Sequence, residues 1–185
     1  MIGLGFTEVM NFVLTNERIH YLKMRLKPGK AVKLANPVSA EYSICREWLL
    51  PGLMKNLSEN KHESYPQRLF EVSDVIKVDL RKETRSRREL HLAAVSAHAD
   101  ANYTEMRSTL DALFANLGLK NWMIREAKHP SFLEGRTAKV YVKGKRVGIL
   151  GEVHPEVLEN FELENPVIAL ELNVERCLDQ HGNHQ

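Results

Sequence analysis

The sequence predicts an α+β domain built on one antiparallel sheet with helices packed on a face. Three observations carry this. Runs with apolar residues at every second position recur along the chain, as half-buried strands require, and short turns separate them. Only a few stretches have helical spacing. Strands and helices never alternate regularly, so the parallel βαβ class is excluded. With 185 residues and roughly 70% of the unfolded surface buried at that size, one core suffices. Neither repeats nor low-complexity linkers divide the chain. A single domain over residues 1–178 is expected, with a disordered tail at 179–185.

The elements follow in order. Met10, Phe12 and Leu14 alternate within Glu8 to Leu14, a strand pattern. Thr15-Asn16-Glu17 is a helix-start signal that Ile19 and Leu22 continue, and Pro28-Gly29 closes it. Val32 to Val38 is a short strand ending at Asn36-Pro37. Pro51 suits the first turn of a helix, where its missing N–H goes unused, and Leu53 and Leu57 form that helix's apolar stripe until Tyr65-Pro66. From Arg68 to Val78, period two puts Phe70, Val72, Ile76 and Val78 on one side. The basic loop Arg81 to Arg88 and the apolar strand Leu90 to His98 complete a long hairpin.

Asn102 to Gly118 is the clearest helix, with Asn102 and Glu105 as a capping box and Met106, Leu110, Leu113, Phe114 and Leu117 as its stripe. The rest is β-rich: Trp122 to Glu126, Ala138 to Val142, the turn Lys143-Gly144-Lys145, and Val147 to Val153. Pro155 opens a short helix, and Pro166 to Glu175 is a final strand with Ile168, Leu170, Leu172 and Val174 on one face.

Composition excludes several function classes. Lys+Arg 26 against Asp+Glu 24 leaves a net charge of +2, too little for a general nucleic-acid binder, so any RNA contact must come from a local patch. No apolar run approaches the ~20 residues of a membrane helix, and the start lacks signal-peptide form. Cys45 and Cys177 make neither a disulfide framework nor a zinc site, so a reduced, cytoplasmic protein without membrane association is expected. Gly3 to Val13 reads as the interior of a domain, which predicts a fragment of a longer chain.

Chemistry-bearing motifs are scarce. The eight histidines (His20, His62, His91, His98, His129, His154, His181, His184) lack the spacing of metal ligands. They read as surface or capping residues, and no metal is expected. No nucleophile elbow or phosphate-binding glycine loop occurs, and no pair of carboxylates stands out as acid and base. The one concentrated charge feature is Arg81, Lys82, Arg85, Arg87 and Arg88. It is either a contact for RNA phosphates or an acidic partner, or a solvated hairpin tip, the usual fate of charge runs.

Several segments taken together resemble a known family. In order they are Gly5-Phe6-Thr7-Glu8-Val9-Met10-Asn11-Phe12, Asn36-Pro37-Val38-Ser39, Leu49-Leu50-Pro51-Gly52-Leu53 and Gln67-Arg68-Leu69-Phe70-Glu71-Val72. His129-Pro130-Ser131-Phe132 with Gly135-Arg136, and Gly151-Glu152-Val153-His154-Pro155-Glu156-Val157-Leu158, follow. From about Gly3 to Arg176 the chain resembles the C-terminal core of the β subunit of phenylalanyl-tRNA synthetase in its archaeal and eukaryotic-like form. Arg46-Glu47-Trp48 departs from the smaller polar residues usual before Leu49 in that family.

The resemblance implies a fold like the class II aminoacyl-tRNA synthetase core. It also implies a catalytic-like module without catalysis, with no catalytic residue and no cofactor of its own. ATP, phenylalanine and magnesium would belong to a partner α subunit in an (αβ)2 heterotetramer that charges tRNA(Phe).

In active class II enzymes, glycines alternate along a final strand so that backbone can approach ATP, and an arginine follows. Here Ala169, Glu171 and Asn173 stand at the glycine positions, and Arg176 lines up with the arginine. Period two places the three on one face, where they would fill the nucleotide's space. Glu171 would repel a triphosphate by roughly 1 to 4 kcal/mol at 4 Å. Arg68 and Glu71 are three apart and should point to opposite faces, unlike the paired arginine and acid of an active site.

The expected role is therefore structural: an assembly core that packs against the α subunit, through the helix from Pro51 and the segment Phe6 to Leu22. Two rivals remain at this stage. One is an active paralogue forming an adenylate; the other is a tRNA-binding module using the basic loop.

Overall fold

The structure, a computed structural model, describes residues 1–179. The expected tail lies, from residue 180 onward, outside the described residues, as do His181 and His184.

A seven-stranded sheet organises the chain, in the order β1 (Thr7–Glu8), β4 (Gln67–Val78), β5 (Ser86–Ala97), β9 (Val167–Asn173), β8 (Lys145–Val153), β7 (Phe132–Val142) and β6 (Trp122–Glu126). β4 to β9 pair antiparallel, but β1 joins β4 parallel, through Thr7 with Leu69 and Glu8 with Phe70. The sheet is therefore mixed at one edge. A second, two-strand ribbon pairs β2 (Leu14–Thr15) with β3 (Ile44–Cys45).

Helices cover both faces, not one. α1 (Leu50–Glu59) buries Leu50, Leu53, Met54 and Leu57 against one face. Ala93, Ala97 and Ala169 lie in the same core, and their small side chains let the helix approach closely. α2 (Tyr103–Asn116) packs Met106, Leu110, Leu113 and Phe114 on the other face, against Leu92, Ile168, Leu170 and Leu172. Asn102 caps α2 by accepting from the Glu105 N–H at 3.2 Å. The Glu105 carboxylate does not return the bond; it accepts from Ser96 and meets His98 and Arg68. α3 (Pro155–Asn160) starts on His154, whose Nδ1 accepts the Glu156 N–H at 3.1 Å. α4 (Val174–Leu178) follows β9 directly.

Other expectations are corrected. Glu8 to Leu14 is no continuous strand: Met10 and Phe12 stand exposed between β1 and β2. Val32 to Val38 contributes only a bridge between Lys33 and Ile44. Both faces of β4 are partly covered: Gln67, Glu71 and Val75 are buried on the side of α1 and Phe70 on the other side with Phe6 and Ala94, while Val72 and Val78, on the side of Phe70, are exposed. β9 ends at Asn173, so Val174 and Arg176 belong to α4. β5 begins at Ser86, so Arg87 and Arg88 are strand residues and the basic loop is shorter than Arg81 to Arg88. The turn between β7 and β8 is the two-residue pair Lys143-Gly144, both at positive φ (49° and 78°), the geometry of a tight hairpin.

Candidate functional site: a cleft closed at its floor

On the sheet face that carries α1 lies a cleft of about 430 Å³, with Tyr21, Trp48 and His129 among its walls, Glu171 and Asn173 at its base and Arg176 at its rim. Strand alternation explains the base. In β9 the odd-numbered residues face α1, and in β5 the partners Ala93 and His91 lie opposite Glu171 and Asn173. The structure thus brings Glu171, Asn173 and Arg176 together. Ala169, on the same face, is instead part of the core with α1, 1% exposed, and does not line the cleft.

Glu171 is buried, and its carboxylate is fully engaged. The Leu49 N–H donates to both oxygens at 3.0 Å, and the Leu50 N–H donates to Oε2 at 3.1 Å. These are unpaired N–H groups at the start of α1, where a carboxylate is favoured by hydrogen bonding and by the helix dipole. On its other side Glu171 Oε1 lies 2.7 Å from His91 Nδ1.

The network continues outward. His91 Nε2 is 3.3 Å from Glu89 Oε2; Glu89 also pairs with Arg87 at 2.7 Å and Arg176 at 3.3 Å. Asn173 donates from Nδ2 to Glu89 at 3.2 Å, and its Oδ1 accepts the Arg176 N–H at 2.8 Å, capping α4. The hydrogen bond from His91, outweighing burial and helped by Arg87 and Arg176, holds the Glu89 carboxyl at about 2. Burial pulls the His91 imidazole down, but its bonds to Glu171 and Glu89 win and raise it above its ordinary value.

Of two more histidines, His129 lines the wall and His20 packs edge-on against the wall residues Tyr21 and Trp48. His20 is buried; its Nε2 accepts the Glu47 N–H at 3.0 Å, and burial, with Lys77 and Arg46 adding, keeps its pKa at about 3. His129 packs between Trp48 and Phe132, with ring centroids at 5.7 and 5.3 Å. Burial, reinforced by Arg146 and Lys139, lowers its pKa to about 4. Both are neutral near pH 7, and buried His20 corrects its reading as a surface or capping residue; half-buried His129 also accepts the Ser131 N–H at 3.3 Å, and His154 caps α3.

Arg68 and Glu71 do face apart. Arg68 meets Glu105 of α2 at 3.1 Å, while Glu71 forms a buried pair with Arg46 at 2.8 Å beneath α1. Asn11 completes that pair, donating from Nδ2 to Glu71 and to Asn56 of α1, both at 2.8 Å. The unusual Arg46 thus has a structural partner, 25 residues away.

The basic residues do not form one tip cluster. Arg87 faces the cleft and Arg88 the opposite side, where it meets Asp74 at 3.4 Å; Arg81, Lys82 and Arg85 are exposed on the connecting loop. Reading the sequence for motifs misses His91 and Glu89. The available signal is the polar series Arg87, Glu89, His91 at alternate positions of an otherwise apolar strand. Among the described residues, no three His, Cys, Asp or Glu side chains converge as a metal cage requires.

Comparison with known proteins decides the family. Residues 1–174 match the family model described as "Phenylalanyl tRNA synthetase beta chain CLM domain". The chain belongs to this family. It is 45% identical over 172 residues to the phenylalanine–tRNA ligase β subunit of Pyrococcus abyssi, a match covering 93% of this chain and 31% of that protein. It is 47% identical over 182 residues to the β subunit of Archaeoglobus fulgidus, covering 97% of this chain and 32% of that protein.

The chain therefore spans about a third of the length of these relatives. Among solved structures, a pyrrolysyl-tRNA synthetase from Desulfitobacterium hafniense superposes with a TM-score of 0.77 at 15% identity, over 96% of this chain and 61% of that one. That likeness establishes the class II-like fold. No described helix is long and apolar enough to cross a membrane.

Proposed function

We propose that this chain is a non-catalytic assembly core of a cytoplasmic phenylalanine–tRNA ligase β subunit, holding the catalytic α subunit in an (αβ)2 complex that charges tRNA(Phe). The observation that carries this reading is the Glu171 carboxylate, bound to the Leu49 and Leu50 N–H groups and to His91.

A nucleotide held by this fold would need open backbone along β9 and an anion-accepting base. Here α1 covers Ala169, and the anion position is filled by the chain's own carboxylate. The residues present do not fit ATP, and ATP with magnesium is assigned to the α subunit.

The assembly role is supported by apolar surface. Met10 and Phe12 are 91% and 77% exposed between the two short strands, with Val38 and Tyr42 also exposed and Tyr42 edge-on to Phe12 at 6.0 Å. A permanent interface typically buries more than ~2,000 Å² and is apolar. The helix from Pro51, expected to contribute, spends its apolar face on the chain's own core, which leaves the segment between Phe6 and Leu22.

The test is co-purification of the full β chain with its α subunit. Phe12→Asp with Met10→Asp should release α while the β chain stays folded; undiminished retention of α would reject the interface. ATP–pyrophosphate exchange by the β chain without α would reject the non-catalytic assignment and establish the adenylate-forming alternative.

A further inference from the structure

One end of the sheet concentrates cationic side chains that the sequence scatters. Register fixes which residues share it. β4 ends and β5 begins at the paired Val78 and Ser86, β9 ends beside His91, and Gly148, near the start of β8, pairs with Leu172 near the end of β9. The loop between β4 and β5, the Lys143-Gly144 turn and α4 therefore emerge together. Arg81, Lys82 and Arg85 come from the first, Lys143, Lys145 and Arg146 from the second, and all six are exposed. Between these clusters lies the cleft mouth, lined by Lys77, Arg87, Arg146 and Arg176.

The pairing of these cations differs from that at the opposite end. There Lys61 meets Glu162 at 3.1 Å, Arg25 meets Glu156 at 2.6 Å, and Lys128 pairs with Glu134. At the cationic end, Arg87 and Arg176 share Glu89 and Arg88 meets Asp74. Among the described residues, Lys77, Arg146 and the other five exposed cations of the loop and turn have no carboxylate within salt-bridge distance. Among the described residues Arg18, Lys23, Lys27, Lys30, Lys120, Arg125 and Lys139 also lack a salt-bridge partner, but this pole gathers seven such cations around one cleft mouth on a chain of net charge +2. Such segregation builds a local potential that attracts polyanions, although the whole chain is nearly neutral.

We infer that this pole, from the β4–β5 loop across the cleft mouth to the β7–β8 turn, is a docking surface for the phosphate backbone of RNA. The inference deepens the ligase reading by giving the tRNA a contact on this chain. Two clusters on separate hairpins, joined by cleft-lining arginines, suit successive phosphates of one strand. Lys and Arg contacts to phosphates position the strand without reading bases, so the surface requires no particular sequence.

The experiment uses the full αβ ligase and measures tRNA affinity across a salt series for two triple variants. One is Arg81→Glu, Lys82→Glu and Arg85→Glu; the other is Lys143→Glu, Lys145→Glu and Arg146→Glu. Each should weaken tRNA binding at least about 10-fold near physiological salt and flatten the log–log salt dependence by about 2 to 3. Lys61→Ala and Lys128→Ala, at the opposite pole, should change neither.

Unchanged affinity in either triple variant overturns the surface as drawn. Weaker binding with an unchanged salt slope also overturns it, since the contact would not be to phosphates. Loss of α retention with tRNA affinity intact would mark the pole as a protein interface instead, and equally rejects RNA. Retention of α, measured in parallel, separates this failure from failure of the assembly role.

Discussion

Glu171 closes the amino end of α1 by accepting the N–H of Leu49, 122 residues earlier, at 3.0 Å. One buried carboxylate thereby ties the last strand of the sheet to α1 and fills the base of the cleft. The group at the base of the cleft is thus also the one that fixes the start of the helix beside it.

Removing this group should be costly. Glu171→Ala leaves the Leu49 and Leu50 donors and His91 without their acceptor, and should destabilise the fold by about 2 to 4 kcal/mol. Glu171→Gln keeps one acceptor oxygen and should lose less. Urea denaturation of the two variants checks the order; equal losses would mean that the carboxylate is not capping α1.

His91 and Glu89 make opposite contributions across pH. The raised pKa of His91 contributes stability below its ordinary value of 6.5 that disappears as pH climbs through the folded value. Glu89, held at about 2, contributes above its ordinary 4.5, and that share vanishes as pH falls toward 2. Both act fully between about 4.5 and 6.5. The stability difference between the parent and His91→Gln should therefore be larger at pH 5.5 than at pH 9. Equal differences at both values would show that the pair with Glu171 and Glu89 is not ionic.

Neutral histidines, His20 buried and His129 half-buried, impose the reverse trend. His20 at about 3 and His129 at about 4 must take up protons on unfolding below about pH 6.5, so they lower stability as the solution is acidified. His129→Phe should keep the packing with Trp48 and shift the acid-unfolding midpoint downward. A midpoint that stays put would contradict the burial of that ring.

The Arg46–Glu71 pair should behave as a unit. Arg46→Met strands a buried carboxylate that keeps only its Asn11 donors, at a cost of about 3 to 5 kcal/mol. Changing both, as Arg46→Met with Glu71→Met, should recover part of that loss. A double-mutant cycle measures the coupling; strict additivity would show that the two charges do not interact.

Gly148 offers a backbone test. A β-carbon there would collide with the Glu171 carbonyl and the Leu172 side chain, so β8 and β9 can pair closely only with glycine. Gly148→Ala should destabilise by about 1 to 3 kcal/mol, readable as a lower melting temperature.

Much of the fold was legible from alternation and punctuation. The α2 stripe except exposed Leu117, the Asn102 cap, Pro155 opening a short helix and the turn at Lys143-Gly144, without Lys145, are local features, and local chemistry specifies them. The face of β4 was not. Phe70, Val72, Ile76 and Val78 are as apolar as any core stripe, but of these only Phe70 is buried, with Phe6 and Ala94, and the side that α1 covers carries Glu71 and Val75. A buried ion pair disguised the inner face, and uncovered valines mimicked it.

By itself the sequence determined the element types, the family resemblance, and the one-sided placement of Ala169, Glu171 and Asn173, because strand geometry makes alternate residues share a face. Only the tertiary structure decided what that face meets. It set α1 over Ala169, matched Glu171 to two distant N–H groups, joined His91 and Glu89 to them, and collected unpaired cations from separate hairpins at one pole. Those outcomes depend on strand order and register. These bring distant residues within hydrogen-bonding distance, and no local pattern encodes them.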